Sequence, residues 1–107
     1  MAREKFQTLT EQMFYVLLCL RDETYGLDIF DRIPLLTENR VKIGSGTLYN
    51  LLEQFVEDGL IRETKVEGRR RSYLITEKGR VLLAREADRL RAQLADYDQT
   101  RQAGEQG

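Results

Sequence analysis

Apolar residues recur at helical spacing through the first half of the chain, alternate for about two short stretches after residue 60, then return to helical spacing after residue 76. Between Leu9 and Arg21, the residues Met13, Phe14, Leu17, Leu18 and Leu20 make a broad stripe that predicts a core helix. Thr8 and Glu11 read as its capping box. A second helix is expected from Tyr25-Gly26, with Leu27, Phe30 and Ile33 on one face and Pro34 ending or kinking it. Thr37 to Arg40 reads as a turn, and Val41 to Ile43 as a short strand. The third helix has the clearest period. Leu48, Leu51, Leu52, Phe55 and Val56 follow an N-cap at Ser45. Asp58-Gly59-Leu60 predicts its stop, with Gly59 left-handed and Leu60 folding back towards Phe55.

Two strands are expected next, Ile61 to Val66 and Arg71 to Ile75, joined by Glu67-Gly68-Arg69-Arg70 as a hairpin turn. Thr76 then caps a long helix from Glu77 to about Tyr97. Leu83, Ala87, Leu90, Leu94 and Tyr97 form an a/d seam on it, at spacings of 4, 3, 4 and 3. The predicted fold is mainly α with a small β-hairpin. It is a winged helix-turn-helix over residues 1–76, a C-terminal dimerisation helix over 77–97 and a disordered polar tail over 98–107.

Composition narrows the chemistry. A chain of 107 residues, 41% hydrophobic and 33% charged, reads as one small globular domain with an added element. No apolar run approaches the ~20 residues that span a bilayer, and Arg3-Glu4-Lys5 leads into a helix start rather than a secretory signal, so a cytoplasmic location and no membrane partner are expected. There is no histidine and one cysteine, Cys19, which sits in an apolar run as a core thiol. An enzyme, a metal site and a cofactor are therefore not expected, and no catalytic residue is named. Gly44-Ser45-Gly46 fails as a nucleotide-binding loop, because Tyr49 stands where the third glycine belongs and no P-loop lysine follows.

The net charge is only −1, but it is unevenly spread. Residues 60–80 hold seven basic and three acidic side chains, whereas residues 1–59 hold six and ten. The basic segment coincides with the predicted wing, where double-stranded DNA could use it. With Leu48, Leu51, Leu52, Phe55 and Val56 fixing the inner face of helix three, Thr47, Asn50 and Gln54 face outward with Tyr49 at the side. Thr47 and Asn50 suit base edges; Ser45 and Tyr49 suit phosphates. Gly44 and Gly46 leave the helix N-terminus open to a phosphate. Arg69, Arg70 and Arg71 at the hairpin tip suit backbone or a narrow minor groove. The seam on the last helix needs a partner, with Arg85, Glu86, Asp88, Arg89 and Arg91 flanking it, and a second copy would place two recognition helices roughly 34 Å apart.

Gly46-Thr47-Leu48-Tyr49, Leu52, Glu57 to Ile61, Gly68 to Arg71, Tyr73 and Thr76 to Gly79, with Tyr25-Gly26 upstream, resemble the PadR family of bacterial transcriptional regulators over roughly residues 9–97. The short C-terminal region resembles the subfamily with a single dimerising helix. The resemblance implies a homodimeric repressor on a pseudo-palindromic operator, released by a small hydrophobic or aromatic effector. Carried over, it makes Tyr49 the motif tyrosine and adds Tyr73 to the arginines of the wing. The chain departs from the pattern at Pro34 and at Ser72, and has no tryptophan near Leu90 to hold a flat drug. The competing expectation is a winged-helix adaptor or anti-activator that contacts protein and not DNA, which a pI of 5.5 favours.

Overall fold

A computed structural model describes residues 8–106, so the expectations for residues 1–7 and Gly107 lie outside the described residues. The elements are α1 (Glu11–Cys19), β1 (Thr24–Tyr25), a 3-10 turn (Gly26–Asp28), α2 (Ile29–Thr37), α3 (Ser45–Glu57), β2 (Ile61–Glu67), β3 (Arg70–Ile75) and α4 (Glu77–Gln106). This is a winged helix-turn-helix followed by a long helix. One core holds Val16, Leu17 and Leu20 of α1 against Ile29 and Ile33 of α2 and Leu48, Leu52 and Phe55 of α3. Ile61, Ile75, Leu82 and Leu83 close it from the hairpin and α4.

Local chemistry sets the boundaries. The cap of α1 is Thr10 rather than Thr8: the Thr10 hydroxyl accepts from the Met13 amide at 3.2 Å. Starting there lets Leu9 drop into the core, while Thr8 is exposed. Tyr25 ends a strand instead of opening a helix. Thr24 and Tyr25 pair with Tyr73 and Ser72, which adds a third strand to the hairpin in the order β1-β3-β2. Pro34 does not stop α2, which continues to Thr37. The ring removes the amide that would bond the Phe30 carbonyl, at a cost of about 3 kcal/mol. Ile29, Ile33 and Thr37, four residues apart, are all buried, and that burial outweighs the cost. The Thr37 hydroxyl donates to the Ile33 carbonyl (2.8 Å) and accepts from the Val41 amide (3.1 Å), fastening the end of α2 to the irregular segment beyond it. Val41 and Ile43 are core plugs on that segment, not a strand.

Gly44 rather than Ser45 is the cap residue of α3, with no side-chain cap bond. Val56 is exposed, contrary to its place in the apolar stripe. At 3.6 residues per turn it lies about 80° round the helix from Leu48, past the edge of the core. The stop at Gly59 is as expected: φ is +75°, and the Leu60 amide bonds the Phe55 carbonyl at 2.8 Å. The hairpin turn shrinks to Gly68-Arg69, with Gly68 at φ +61° as a two-residue turn with a leading glycine requires. Thr64 forms a bulge, because Glu63 opposes Tyr73 while Lys65 opposes Ser72.

Helix α4 starts where Thr76 caps it, through the Gly79 amide at 3.1 Å. It runs to Gln106, past Tyr97 and through most of what reads as a disordered tail. Good helix formers and the absence of glycine or proline between Arg80 and Ala103 carry it on. Its first turn is fastened to the end of α3. The Thr76 amide bonds the Leu60 carbonyl (2.9 Å), the Thr76 hydroxyl donates to the Gly59 carbonyl (2.6 Å), and the Lys78 ammonium donates to the Asp58 carbonyl (2.9 Å).

Candidate nucleic-acid interface

The roll of α3 is fixed by Leu48, Leu51, Leu52 and Phe55, all buried. Ser45, Thr47, Tyr49 and Asn50 are consequently exposed on its outer side, and Gln54, a turn further on, is half-buried. Tyr49 is 50% exposed, and its ring meets Phe30 of α2 edge-on, with centroids 6.4 Å apart. Phe30, read from the sequence as core only, thus positions the tyrosine. A Cβ built on Gly44 or Gly46 meets nothing within 4 Å, so the N-terminus of α3 is unobstructed.

The three wing arginines have different surroundings. Arg71 pairs with Glu63 at 3.0 Å on the open surface. Arg70 lies over the Tyr25 ring, 4.9 Å from its centroid. Arg69, at the turn, makes no ion pair among the described residues. Tyr73 departs from its expected place as a wing contact. It is 8% exposed and belongs to the core. Alternation along β3 explains this: Tyr73 and Ile75 share the inward face, opposite Glu63 and Ile61 of β2. Burial, and then the Glu63 carboxylate, push its phenol above the ordinary tyrosine value, with Arg71 acting the other way. The phenol keeps its proton and remains a hydrogen-bond donor. One edge of Tyr73 still lines a cavity of about 290 Å³ between wing and recognition helix, together with Tyr25, Tyr49, Arg69 and Arg71. The fold therefore gathers Tyr49, Arg69, Arg71 and Tyr73 around one opening, while Arg70 turns to Tyr25.

The α4 seam divides in two. Leu83 is buried in the chain's own core and Ala87 is half-buried, so these two are already covered within one chain. Leu90, Leu94 and Tyr97 are 40%, 60% and 60% exposed. Glu86, read as flanking the seam, is instead buried. Its carboxylate accepts from the Leu9 amide (3.1 Å) and from two guanidinium nitrogens of Arg89 (2.8 and 2.7 Å). The Arg89 bonds, helped by the Leu9 amide and opposed by burial, hold this carboxyl below its ordinary value. Between α1 and α4 lies a groove of about 460 Å³, with Phe14, Leu18, Leu83 and Ala87 on its walls and Arg21 and Arg91 at its margins. No group of histidine, cysteine and acidic residues among those described could hold a metal ion. None of the described helices is long and apolar enough to cross a membrane.

The same architecture occurs in solved structures. A transcriptional regulator from Clostridium thermocellum superposes with a TM-score of 0.72 at 20% identity, over 85% of this chain and 96% of that one. A PadR-like transcription factor from Bacteroides fragilis gives 0.61 at 28% identity, over 86% and 87% of the two chains. The PcaV transcriptional regulator from Streptomyces coelicolor, solved with its natural ligand, gives 0.63 at 16% identity over 91% and 75%. Among curated proteins no sequence matches. The family model of PadR-like transcriptional regulators matches residues 16–85, from α1 through the wing into the early turns of α4. The chain belongs to the PadR-like family of transcriptional regulators.

Proposed function

We propose that the chain is a cytoplasmic repressor that binds a pseudo-palindromic DNA operator as a homodimer and is released by a small hydrophobic or aromatic effector. The observation that carries this reading is the meeting of Tyr49, one of the exposed row Thr47, Tyr49 and Asn50 on α3, with Arg69 and Arg71 around one cavity. In this reading α3 enters the major groove by its N-terminal half, and Thr47 and Asn50 read base edges. Ser45 and Tyr49 hold phosphates, Gln54 stands at the margin of the contact, and Arg69, Arg70 and Arg71 hold backbone or minor groove. Tyr73 acts through the edge it presents to the cavity.

The exposed stretch Leu90, Leu94 and Tyr97 supports a homodimer, since water contact over an a/d stripe is unfavourable. The α1–α4 groove is the place for an effector, because it joins the dimerising helix to the reading domain. The test is fluorescence anisotropy on DNA from upstream of the protein's own gene across a salt series. Binding is expected to weaken steeply as salt rises, and replacement of Arg69, Arg70 and Arg71 by alanine to weaken it and flatten that dependence. No binding at low salt would overturn the DNA reading and favour a protein-contacting adaptor.

A further inference from the structure

The cavity between wing and recognition helix is lined by donor-bearing side chains beside Gly26 and Leu27. Tyr25, Tyr49 and Tyr73 bring three phenols to it, and Arg69 and Arg71 bring two guanidinium groups. A phosphodiester offers two charged oxygens and no donors, so it complements such a lining. One carboxylate stands beside this cluster. Glu63 holds Arg71 at 3.0 Å, in a pair whose side chains are 33% and 60% exposed respectively. The bulge at Thr64 puts it there, because it keeps Glu63 directly opposite Tyr73 before the register shifts.

Two oxygens of a carboxylate present to Arg71 much what a phosphate would. We propose that this cavity is a socket for one backbone phosphate, and that Glu63 occupies Arg71 until a phosphate displaces it. The proposal rests on the DNA-binding reading above and adds to it a residue that opposes binding. An exposed pair is weak enough to exchange: such pairs contribute up to about 1 kcal/mol, which corresponds to about fivefold in affinity. A partner of the correct shape can then recover the loss through Tyr25, Tyr49 and Tyr73, whereas a poorly seated duplex cannot. Glu63 in this way sharpens selection for well-seated DNA.

The test compares wild type, Glu63→Gln, Glu67→Gln, Arg71→Ala and Glu63→Gln/Arg71→Ala, by anisotropy on the upstream DNA and on a mixed-sequence duplex of equal length. Glu67 lies on the same strand, opposite Arg70 in register, and controls for the loss of one negative charge from the wing. Glu63→Gln is expected to tighten binding by about two- to fivefold, proportionately more on the mixed duplex. Glu67→Gln is expected to do clearly less. Arg71→Ala is expected to weaken binding and reduce the salt slope by about 0.9, one phosphate's worth. In the Arg71→Ala background the effect of Glu63→Gln is expected to fall to that of Glu67→Gln. Equal effects of the two glutamate changes, or a Glu63→Gln gain that survives without Arg71, would overturn the socket while leaving DNA binding intact. Failure of the wild type to bind either duplex would overturn both.

Discussion

Gly79→Ala sets two physical effects of opposite sign against each other. Gly79 lies in the first turn of α4, and in an exposed helix alanine is more stable than glycine there by about 1 kcal/mol. Packing points the other way. A Cβ at Gly79 would collide with the Leu60 carbonyl oxygen and stand 2.7 Å from Cγ1 of Ile75. The oxygen belongs to backbone, so no rotamer can move it aside. Relief requires α4 to retreat by about 1 Å, and overpacking of this kind costs about 1–3 kcal/mol. That retreat stretches the bonds from Thr76 to the Leu60 and Gly59 carbonyls, now 2.9 and 2.6 Å, at about 1 kcal/mol each.

Taken together, Gly79→Ala is expected to destabilise by about 2–4 kcal/mol. Urea titration followed by circular dichroism, at one fixed protein concentration, measures this directly. With slopes of about 1–3 kcal/mol per molar urea, the midpoint is expected to fall by about 0.7–4 M, and by about 1.5 M at the middle of both ranges. Gly46→Ala is the matched control. Nothing lies within 4 Å of its Cβ, so its stability is expected to stay within about 1 kcal/mol of wild type. A Gly79→Ala protein as stable as wild type, or more so, would refute the packing argument.

Other outcomes rest on the same contacts. Glu86 has a lowered carboxyl pKa in the folded chain, so the stability it confers is complete above its ordinary value of 4.5 and is lost as pH falls through the lower folded value. Thermal melts are therefore expected to fall on the acid side of pH 4.5 in wild type, and Glu86→Gln to be less stable at neutral pH with a flatter acid limb. Leu90→Glu with Leu94→Glu is expected to give a monomer by light scattering at micromolar concentration while leaving the far-ultraviolet dichroism nearly unchanged; a persistent dimer would move the interface elsewhere. Gly46→Ala, neutral for stability, is expected to weaken DNA binding if backbone approaches phosphate at the start of α3. Burial pushes the Cys19 thiol above its ordinary value, with Arg32 opposing, so a maleimide at neutral pH is expected to label it only after denaturant is added.

What the sequence disclosed was the part governed by local rules. Period located the helices, and turn and cap signals the Gly59 stop, the hairpin and the Thr76 cap, because each depends on residues within a few positions, although the caps of α1 and α3 fall one or two residues from Thr8 and Ser45. The departures are mostly long-range. β1 exists only because Tyr73 and Ser72 offer it a strand to pair with. Pro34 is tolerated because Ile33 and Thr37 are pulled into the core from afar. Glu86 reads as a seam-flanking charge until the Leu9 amide, 77 positions away, meets it. At the candidate site the helix face was legible from periodicity, but the wing was read as a run of equivalent arginines. The fold distinguishes them by partners, Glu63 for Arg71 and Tyr25 for Arg70, that no spacing rule connects. The burial of Tyr73 did have a signal, its alternation with Ile75.

The joint at Gly79 also bears on how a dimer could be regulated. The C-terminal end of α3 meets the first turn of α4 through three hydrogen bonds and one contact in which only glycine fits. The two helices therefore move together at that point, since any relative shift stretches these bonds or opens a gap. From there α4 extends for 30 residues, about 45 Å. A tilt of only about 5° of this joined unit against α1 displaces the far end of α4 by about 4 Å. In the proposed dimer the far ends are held by the partner, so the same tilt appears instead at the recognition helices. In the proposed reading, a ligand in the α1–α4 groove, which borders Leu83 and Ala87 only a turn or two beyond the joint, acts where a small displacement has the largest leverage. Operator spacing tolerates little such change, because two helices must enter successive major grooves roughly 34 Å apart. Release by the proposed effector then requires no unfolding of the reading domain, only a few degrees of tilt of the joined α3–α4 unit.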